Sequence, residues 1–281
     1  MKTFLLDGDI LVYTVAFACA EETQEYLVMK TADSYLREIL SRSRCDNYIG
    51  FLTDSETNFR NQRATTWVYK GQREQKEPPK WKAKVKEHYL KNHGWQLMRG
   101  IEADDALTIA AEHLGNSNVV CGTVDKDLLQ YPWTGFMNLR KGPVYSISET
   151  EAHENLWRQV LVGDKQTDSI PGLSHAATYL NVKKKFLGAR EELWGPARAD
   201  KFLLIVDPEM YAQEILNEYV WAYDGFDFPR GLQDKRGALC FGEYRFHETF
   251  DLIRMLLEVP EGVSISFETS PTNTEPANEF L

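Results

Sequence analysis

The stretch TFLLDGD, Thr3 to Asp9, is a short apolar run that ends in acid. Two later stretches repeat the pattern: YIGFLTD ends at Asp54, and NVVCGTVDKD ends at Asp125 and Asp127. Apolar runs this short, separated by helical stretches, read as strands buried on both faces of a parallel sheet in an α/β protein. Functional groups in such sheets collect beyond the carboxyl ends of the strands, which is where these aspartates fall. Between the second and third runs, IEADDALTIAAEHLG predicts a helix from about Glu102 to His113, stopped by Gly115. Glu102, Asp104 and Asp105 suit the positive end of its dipole. Three acids in four residues exceed what one helix end requires, because like charges repel unless a cation intervenes. The first twenty residues carry Lys2, an apolar run and an Ala-Cys-Ala ending, the outline of a secretion signal. Asp7 and Asp9 interrupt that run, so neither a signal nor a membrane span is expected.

With 281 residues and 43% hydrophobic content, the chain can bury one large core or two smaller ones that share an interface. Cys19, Cys45, Cys121 and Cys240 show no paired spacing, which argues against a cysteine-zinc site and a disulfide framework and fits a reducing cytoplasm. The net charge of −10 counts against a nucleic-acid partner until its distribution is read. From Arg60 to Lys91, seven Lys and three Arg stand against three Glu, a local +7 that leaves −17 for the remainder. Trp67, Tyr69 and Trp81 sit among those charges. Aromatics beside cations suit stacked bases and paired phosphates, although a solvated helix face gives the same charge run.

The stretch VGDKQTDSIPG adds Asp164 and Asp168, four residues apart, where capping a helix or turn needs only one. Together the segments hold nine carboxylates: Asp7, Asp54, Glu102, Asp104, Asp105, Asp125, Asp127, Asp164 and Asp168. Gathered in a dry site they would repel, and their pKa values would rise unless something positive bound them. Mg²⁺ takes oxygen ligands and keeps several waters, so few carboxylates need touch each ion. Two ions roughly 3.5 to 4 Å apart suit hydrolysis of a phosphodiester. None of the six histidines lies in an acidic motif, and apart from Ser174-His175 no Ser or Cys has a base beside it, which argues against a soft metal and an acyl-enzyme.

The order of LLDGD, FLTDSETNFR, YKGQR, IEADDA, TVDKDLLQ and GDKQTDSIPG resembles that of the 5′ nuclease family of flap endonucleases and phage 5′-to-3′ exonucleases, most of all the small exonucleases of short-tailed phages. The resemblance implies a PIN-like α/β fold over residues 1–258: a central, mostly parallel sheet flanked by helices, a helical arch at about 69–91, and a helix-three-turn-helix element at about 162–205. It implies that Asp7, Asp54, Glu102, Asp104 and Asp125 serve a first metal. Asp127, Asp164 and Asp168 would serve a second, with Asp105 nearby; both ions would be Mg²⁺, replaceable by Mn²⁺. Lys70 and Arg73 would contact the scissile phosphate, and Tyr69 would stack on a terminal base. Lys80, Lys82, Lys84 and Lys86 would line the arch, where Pro78 and Pro79 must break any helix.

The family's glycine-rich hairpin, which holds a phosphate through K⁺, is reduced here to Gly172, with Ser174 and His175 following. Duplex grip would then shift to Lys183, Lys184 and Lys185, unless these form a solvated surface run. The family places the last two acids three residues apart. A helix from Asp164 to Asp168 would absorb the extra residue, whereas a loop would turn Thr167 toward the metals and return Asp168 to capping. The implied activity is 5′-to-3′ hydrolysis of duplex DNA with a free 5′ end or flap, and of RNA in RNA-DNA hybrids, during phage replication in the host cytoplasm. A flap endonuclease and a silent DNA-binding relative are the alternatives. Residues 259–281, rich in Ser, Thr, Pro and Glu without Lys or Arg, read as a disordered acidic tail, either inert or a contact for a replication protein.

Overall fold

All three acid-terminated runs are neighbouring strands in the computed structural model, which describes residues 1–71, 77–140, 142–164, 168–173, 194–224 and 241–272. They are β1 (Thr3–Asp7), β2 (Asn47–Thr53) and β4 (Val119–Thr123); β3 (Gln96–Met98) and β5 (Phe136–Asn138) complete a parallel set in the order β3-β2-β1-β4-β5. The chain winds outward from β1 to β3, then crosses back to β4. The winding reverses between β1 and β4, beside Asp7, the position at which open α/β sheets bind ligands.

Contact clustering divides the chain into two units: Met1–Phe59, Glu77–Ala152 and Met255–Leu281 in the first, Arg60–Lys76 and His153–Arg254 in the second. In the first, strand residues alternate between two cores, as a two-residue period requires. Phe4, Leu6, Leu52 and Val120 face α1 (Gly8–Ala18), α2 (Glu25–Ser43) and α4 (Lys82–Asn92). Leu5, Ile49, Phe51 and Cys121 face α5 (Ala103–Leu114). Cys19, Cys45 and Cys121 are buried and free, and no helix among the described residues is long and apolar enough to cross a membrane.

Glycines inside this sheet make room for aromatic rings. A Cβ on Gly122 would lie 2.1 Å from the Phe4 ring, and one on Gly50 2.5 Å from the Trp95 indole. Gly122→Ala is therefore expected to cost about 1–3 kcal/mol through overpacking, read as a lower denaturant midpoint. Adding Phe4→Leu should recover part of that loss; an unchanged midpoint in Gly122→Ala would contradict the packing.

The segment expected to be a disordered tail is folded as far as Thr272. Val263, Ile265 and Phe267 pack on the α5 side, Phe267 stacks on His113 at 3.9 Å, and β8 (Ser270–Pro271) pairs antiparallel with Asn47 and Tyr48 of β2. The polar composition hid an alternation of apolar residues at every second position; residues 273–281 lie outside the described set.

The second unit has its own core, with Tyr69, Trp157, Val160, Ile170, Tyr219 and Phe246 buried together. Among the described residues its helices are the later part of α6 (Glu149–Val162), then α7 (Pro196–Ile205), α8 (Tyr211–Asp224) and α9 (Phe241–Ile253), while the short α3 (Phe59–Arg63) leads into it. Buried Arg60 closes the end of α9, donating from Nε to Leu252 O at 2.9 Å and from Nη2 to Arg254 O at 2.9 Å. These carbonyls have no partner within the helix. On α9, Arg245 and Glu248 form a buried pair at 3.1 Å, and Glu248 Oε1 accepts the backbone N–H groups of Thr65 (2.6 Å) and Thr66 (2.9 Å). The beginning of the basic segment is thus fastened to α9.

Neither Asp164 nor Asp168, the ends of the helix considered for this stretch, is helical, and residues 165–167 between them lie outside the described residues. Gly163–Asp164 (β6) pairs antiparallel with Ile170–Pro171 (β7), Asp164 standing opposite Ile170. The reason lies in the glycines. Gly163 has φ +72°, and a Cβ on it or on Gly172 would come within 2.3 Å of the other's backbone nitrogen, so only glycine fits at either place. Thr167 and most of the expected helix-three-turn-helix, including Lys183, Lys184 and Lys185, lie outside the described residues.

Candidate active site

Two threonines that end strands organise the acids of the first unit. Asp7 ends β1 and is also the N-cap of α1, its carboxylate accepting the Ile10 N–H at 3.4 Å. Its other oxygen accepts the Thr123 hydroxyl at 2.7 Å, and Thr123 Oγ1 in turn accepts the Asp125 N–H at 3.0 Å. Asp125 Oδ1 then accepts the Asp127 N–H at 2.9 Å. On the other side of β1, Asp9 in the first turn of α1 accepts the Thr53 N–H at 3.1 Å. Thr53 Oγ1 accepts the N–H of Ala103, the first residue of α5, at 2.9 Å. One strand end and one helix start are thereby locked to each side of Asp7. Gly8 permits this, since a Cβ there would lie 2.5 Å from Phe51 O and against the Trp95 ring.

The electrostatics follow from that crowding. Burial, the Asp9 carboxylate and the Asp125 carboxylate push Asp7 up to about 7, against the Thr123 hydrogen bond that lowers it. The Cys121 thiol, inside β4, is raised by burial and by the charges of Asp7 and Asp104. Asp54 follows β2, with Arg99 Nε 3.6 Å from Oδ2 and the Glu56 N–H donating to Oδ1 at 3.3 Å.

Glu102 and Asp105 have structural work. They form a capping box at the start of α5, in which Asp105 Oδ2 accepts the Glu102 N–H at 3.2 Å. Asp105 Oδ1 accepts the Leu256 N–H at 3.1 Å, so this fully buried carboxylate meets backbone N–H groups through both oxygens. Asp9, Thr53 and Thr123 were missed as site residues. Their signal is present in the sequence as a second acid after Asp-Gly, and as a threonine one residue before Asp54 and two before Asp125.

Asp164 and Asp168 belong to the second unit and are buried there. Asp168 holds the start of the YKG turn: its carbonyl accepts the Lys70 N–H at 2.8 Å, and its carboxylate accepts the Tyr69 hydroxyl at 3.5 Å. Lys70 has φ +56°, a conformation costly for any residue with a Cβ, and its ammonium lies 5.0 Å from the Tyr69 ring. Tyr69, expected to stack on a base, is buried in the second core, and Trp81 is buried in the first; of the three aromatics, Trp67 is the exposed one, at 46%. Arg73 lies outside the described residues. Lys80 reaches Glu22 O at 2.8 Å, Lys82 the Tyr13 hydroxyl at 2.7 Å, Lys84 the Glu25 carboxylate at 3.4 Å and Lys86 Thr53 O at 2.7 Å.

The acids at the carboxyl ends of β1, β2 and β4 offer carboxylate oxygen, and burial together with the Asp9 and Asp125 charges raises the Asp7 pKa. Both features fit hard divalent cations.

A family model described as 5'-3' exonuclease, N-terminal resolvase-like domain, matches residues 2–155. No match was found among curated protein sequences. Among solved structures, the chain is similar to the D15 protein of phage T5 co-crystallised with metal ions, with TM-score 0.55 and 16% identity over 90% of this chain and 89% of that one. It is also similar to a lysine-to-alanine mutant of the T5 5′-exonuclease, with TM-score 0.51 and 15% identity over 90% and 87% of the two chains. At these identities the likeness speaks for the fold, a PIN-like sheet flanked by helices. With more than half of its length inside the family's model and its acids at the carboxyl ends of β1, β2 and β4, the chain belongs to the 5′-3′ exonuclease family.

Proposed function

We propose that the chain is a Mg²⁺-dependent 5′-to-3′ exonuclease that hydrolyses phosphodiesters at or near the 5′ ends of duplex DNA, and of RNA paired to DNA, leaving 3′-hydroxyl and 5′-phosphate ends. The observation that carries this reading is the locked set of Asp7, Asp9 and Asp125 at the point where the sheet's winding reverses. Divalent ions held there supply a water of lowered pKa and offset charge on the phosphate. Asp7, Asp54, Asp104 and Asp125 are the proposed ligands on one side, and Asp127, Asp164 and Asp168 the acids assigned to a second ion. Thr123 and Thr53 keep the carboxylates in register before substrate arrives, so little reorganisation accompanies the reaction. Lys70 and Arg73 donate to the phosphate oxygens, and loss of either lowers turnover more than binding. Lys82, Lys84 and Lys86 face the DNA backbone with their alternative partners released. The setting is phage replication, as primer removal or as degradation of DNA to nucleotides.

The test uses duplex DNA labelled at the 5′ or the 3′ end, a flap substrate and an RNA-DNA hybrid, each in Mg²⁺ and in EDTA. Mononucleotides released from 5′ ends in Mg²⁺ alone are the expected product. Asp125→Ala should reduce their release by about 10²–10³-fold or more, the scale on which a preorganised charge partner acts. Flap-length oligonucleotides without mononucleotides would make the chain a structure-specific endonuclease. No Mg²⁺-dependent product, or undiminished cleavage by Asp125→Ala, would remove the mechanism.

A further inference from the structure

Two histidines absent from every acidic motif meet on one aspartate, away from the acids of the candidate active site. Asp33, on α2, has its Oδ1 2.7 Å from His88 Nε2 and 2.8 Å from His93 Nε2. The three ligand-type atoms all lie within 4.8 Å of one another. His88 is on α4 and His93 is its C-cap residue, followed by Gly94 at φ +65°. This termination turns His93 back toward His88, and the two rings stand edge to face at 5.3 Å.

The surroundings hold the trio in place. Between the histidines, buried Tyr89 donates its hydroxyl to Ala32 O at 2.9 Å and stacks on Trp95 at 4.1 Å, fixing α4 to α2 one residue before Asp33. The Asn92 side-chain amide lies 2.8 Å from His88 Nδ1. By flipping, that amide can serve either tautomer of the imidazole, the outer-partner arrangement of metal-bound histidines. The side chains themselves stay partly exposed, 11% for His88, 22% for His93 and 27% for Asp33, which leaves room for a water. Burial alone would raise the Asp33 carboxyl; hydrogen bonds from His88 and His93 outweigh it and hold the group well below the usual carboxylate range.

We propose that Asp33, His88 and His93 form a metal site for Zn²⁺-class ions, with a water as fourth ligand, that staples α4 to α2. Two imidazoles and one carboxylate suit borderline ions and not Mg²⁺, so this site and the carboxylate cluster select different metals. Zinc bonds of about 2.0–2.2 Å place tetrahedral ligands roughly 3.3 Å apart. The two Asp33–histidine contacts, at 2.7 and 2.8 Å, need open by only about half an ångström to reach that spacing. The inference does not depend on nuclease activity. Its consequence is that α4, which carries Lys82, Lys84 and Lys86, gains rigidity from a metal that is no part of the reaction.

The test titrates the metal-stripped full chain with Co²⁺ in saturating Mg²⁺. One tetrahedral Co²⁺ per chain is expected, seen as intense visible bands and displaced by Zn²⁺. The signal should persist in Asp125→Ala and vanish in His93→Gln and Asp33→Asn, variants that keep shape and whose folding is checked by circular dichroism. Asn92→Ala should weaken Co²⁺ by about 10-fold or more. Absence of the bands in the wild-type chain would overturn the proposal, as would their loss in Asp125→Ala together with their survival in folded His93→Gln.

Discussion

Replacing Asp7 with Asn is expected to abolish cleavage while making the metal-free chain more stable above neutral pH. The two effects have one cause. Asp7 is buried beside Asp9 and Asp125, and its pKa rises from 3.8 to about 7. An acid raised in the folded state loses its proton sooner in the unfolded chain. Stability from this group is therefore intact below about pH 4, declines as pH rises toward 7, and stays low above that. The full difference is of the order of 4 kcal/mol, at about 1.4 kcal/mol per pKa unit. A bound divalent cation reverses the penalty, and its binding releases a proton near neutrality. Melting temperatures of metal-free wild type and Asp7→Asn, compared at about pH 5 and about pH 8, should diverge at the higher pH with the variant ahead. Mg²⁺ should raise the wild type and leave the variant nearly unmoved. Equal pH dependence in both proteins would place Asp7 in the ordinary carboxylate range, and cleavage by Asp7→Asn within tenfold of wild type would remove it from the chemistry.

The largest purely structural loss is expected from Glu248→Ala. Glu248 balances the buried Arg245 guanidinium and accepts N–H groups from Thr65 and Thr66; Thr66 Oγ1 also bonds to both side chains. Removing the carboxylate leaves a buried cation and backbone donors without acceptors, a change worth about 3–5 kcal/mol. Arg245 lies 5.6 Å from the rings of Trp67 and Tyr223, and those faces offset only about 0.5–2 kcal/mol of the exposed charge. Urea titration should show the midpoint falling accordingly. Adding Arg245→Met should return much of it, since an apolar replacement of a whole buried pair is often neutral. A Glu248→Ala chain within about 1 kcal/mol of wild type would mean that the pair is solvated.

What the sequence made legible was whatever depends on neighbours along the chain. Strands β1, β2 and β4 end at Asp7, Thr53 and Thr123, within two residues of the first acid that bounds each apolar run, and α5 runs from Ala103 to Leu114 against a predicted span of Glu102 to His113. Residue chemistry at the strand ends was readable because a parallel sheet sends every carboxyl end to one side. What spacing along the chain could not show depended on distant partners. Asp105 reads as one more ligand until Leu256 is seen to donate to it. Tyr69 reads as a stacking platform until the second core closes over it. Asp33 stands 55 residues from His88, too far for spacing to signal a shared site. Asp164 was offered a helix because both candidate spacings keep side chains on one helical face, whereas the Gly163–Gly172 contact imposes a hairpin.

The short strand β8 has a meaning beyond closing the fold. The outer side of β2 is shared between two partners, β3 along Phe51 to Thr53 and β8 along Asn47 and Tyr48. Gln96 of β3 is engaged in turn by Ser266, through paired bonds of 2.7 and 2.8 Å. Strands with unclaimed amides recruit copies of themselves, and short or covered borders are the usual defence against such growth into aggregates. By laying its last described residues across this border, the chain supplies its own guard. A version cut at Glu258 would keep every acid proposed for the active site and forfeit that protection, so its solubility, more than any cleavage, would register the loss.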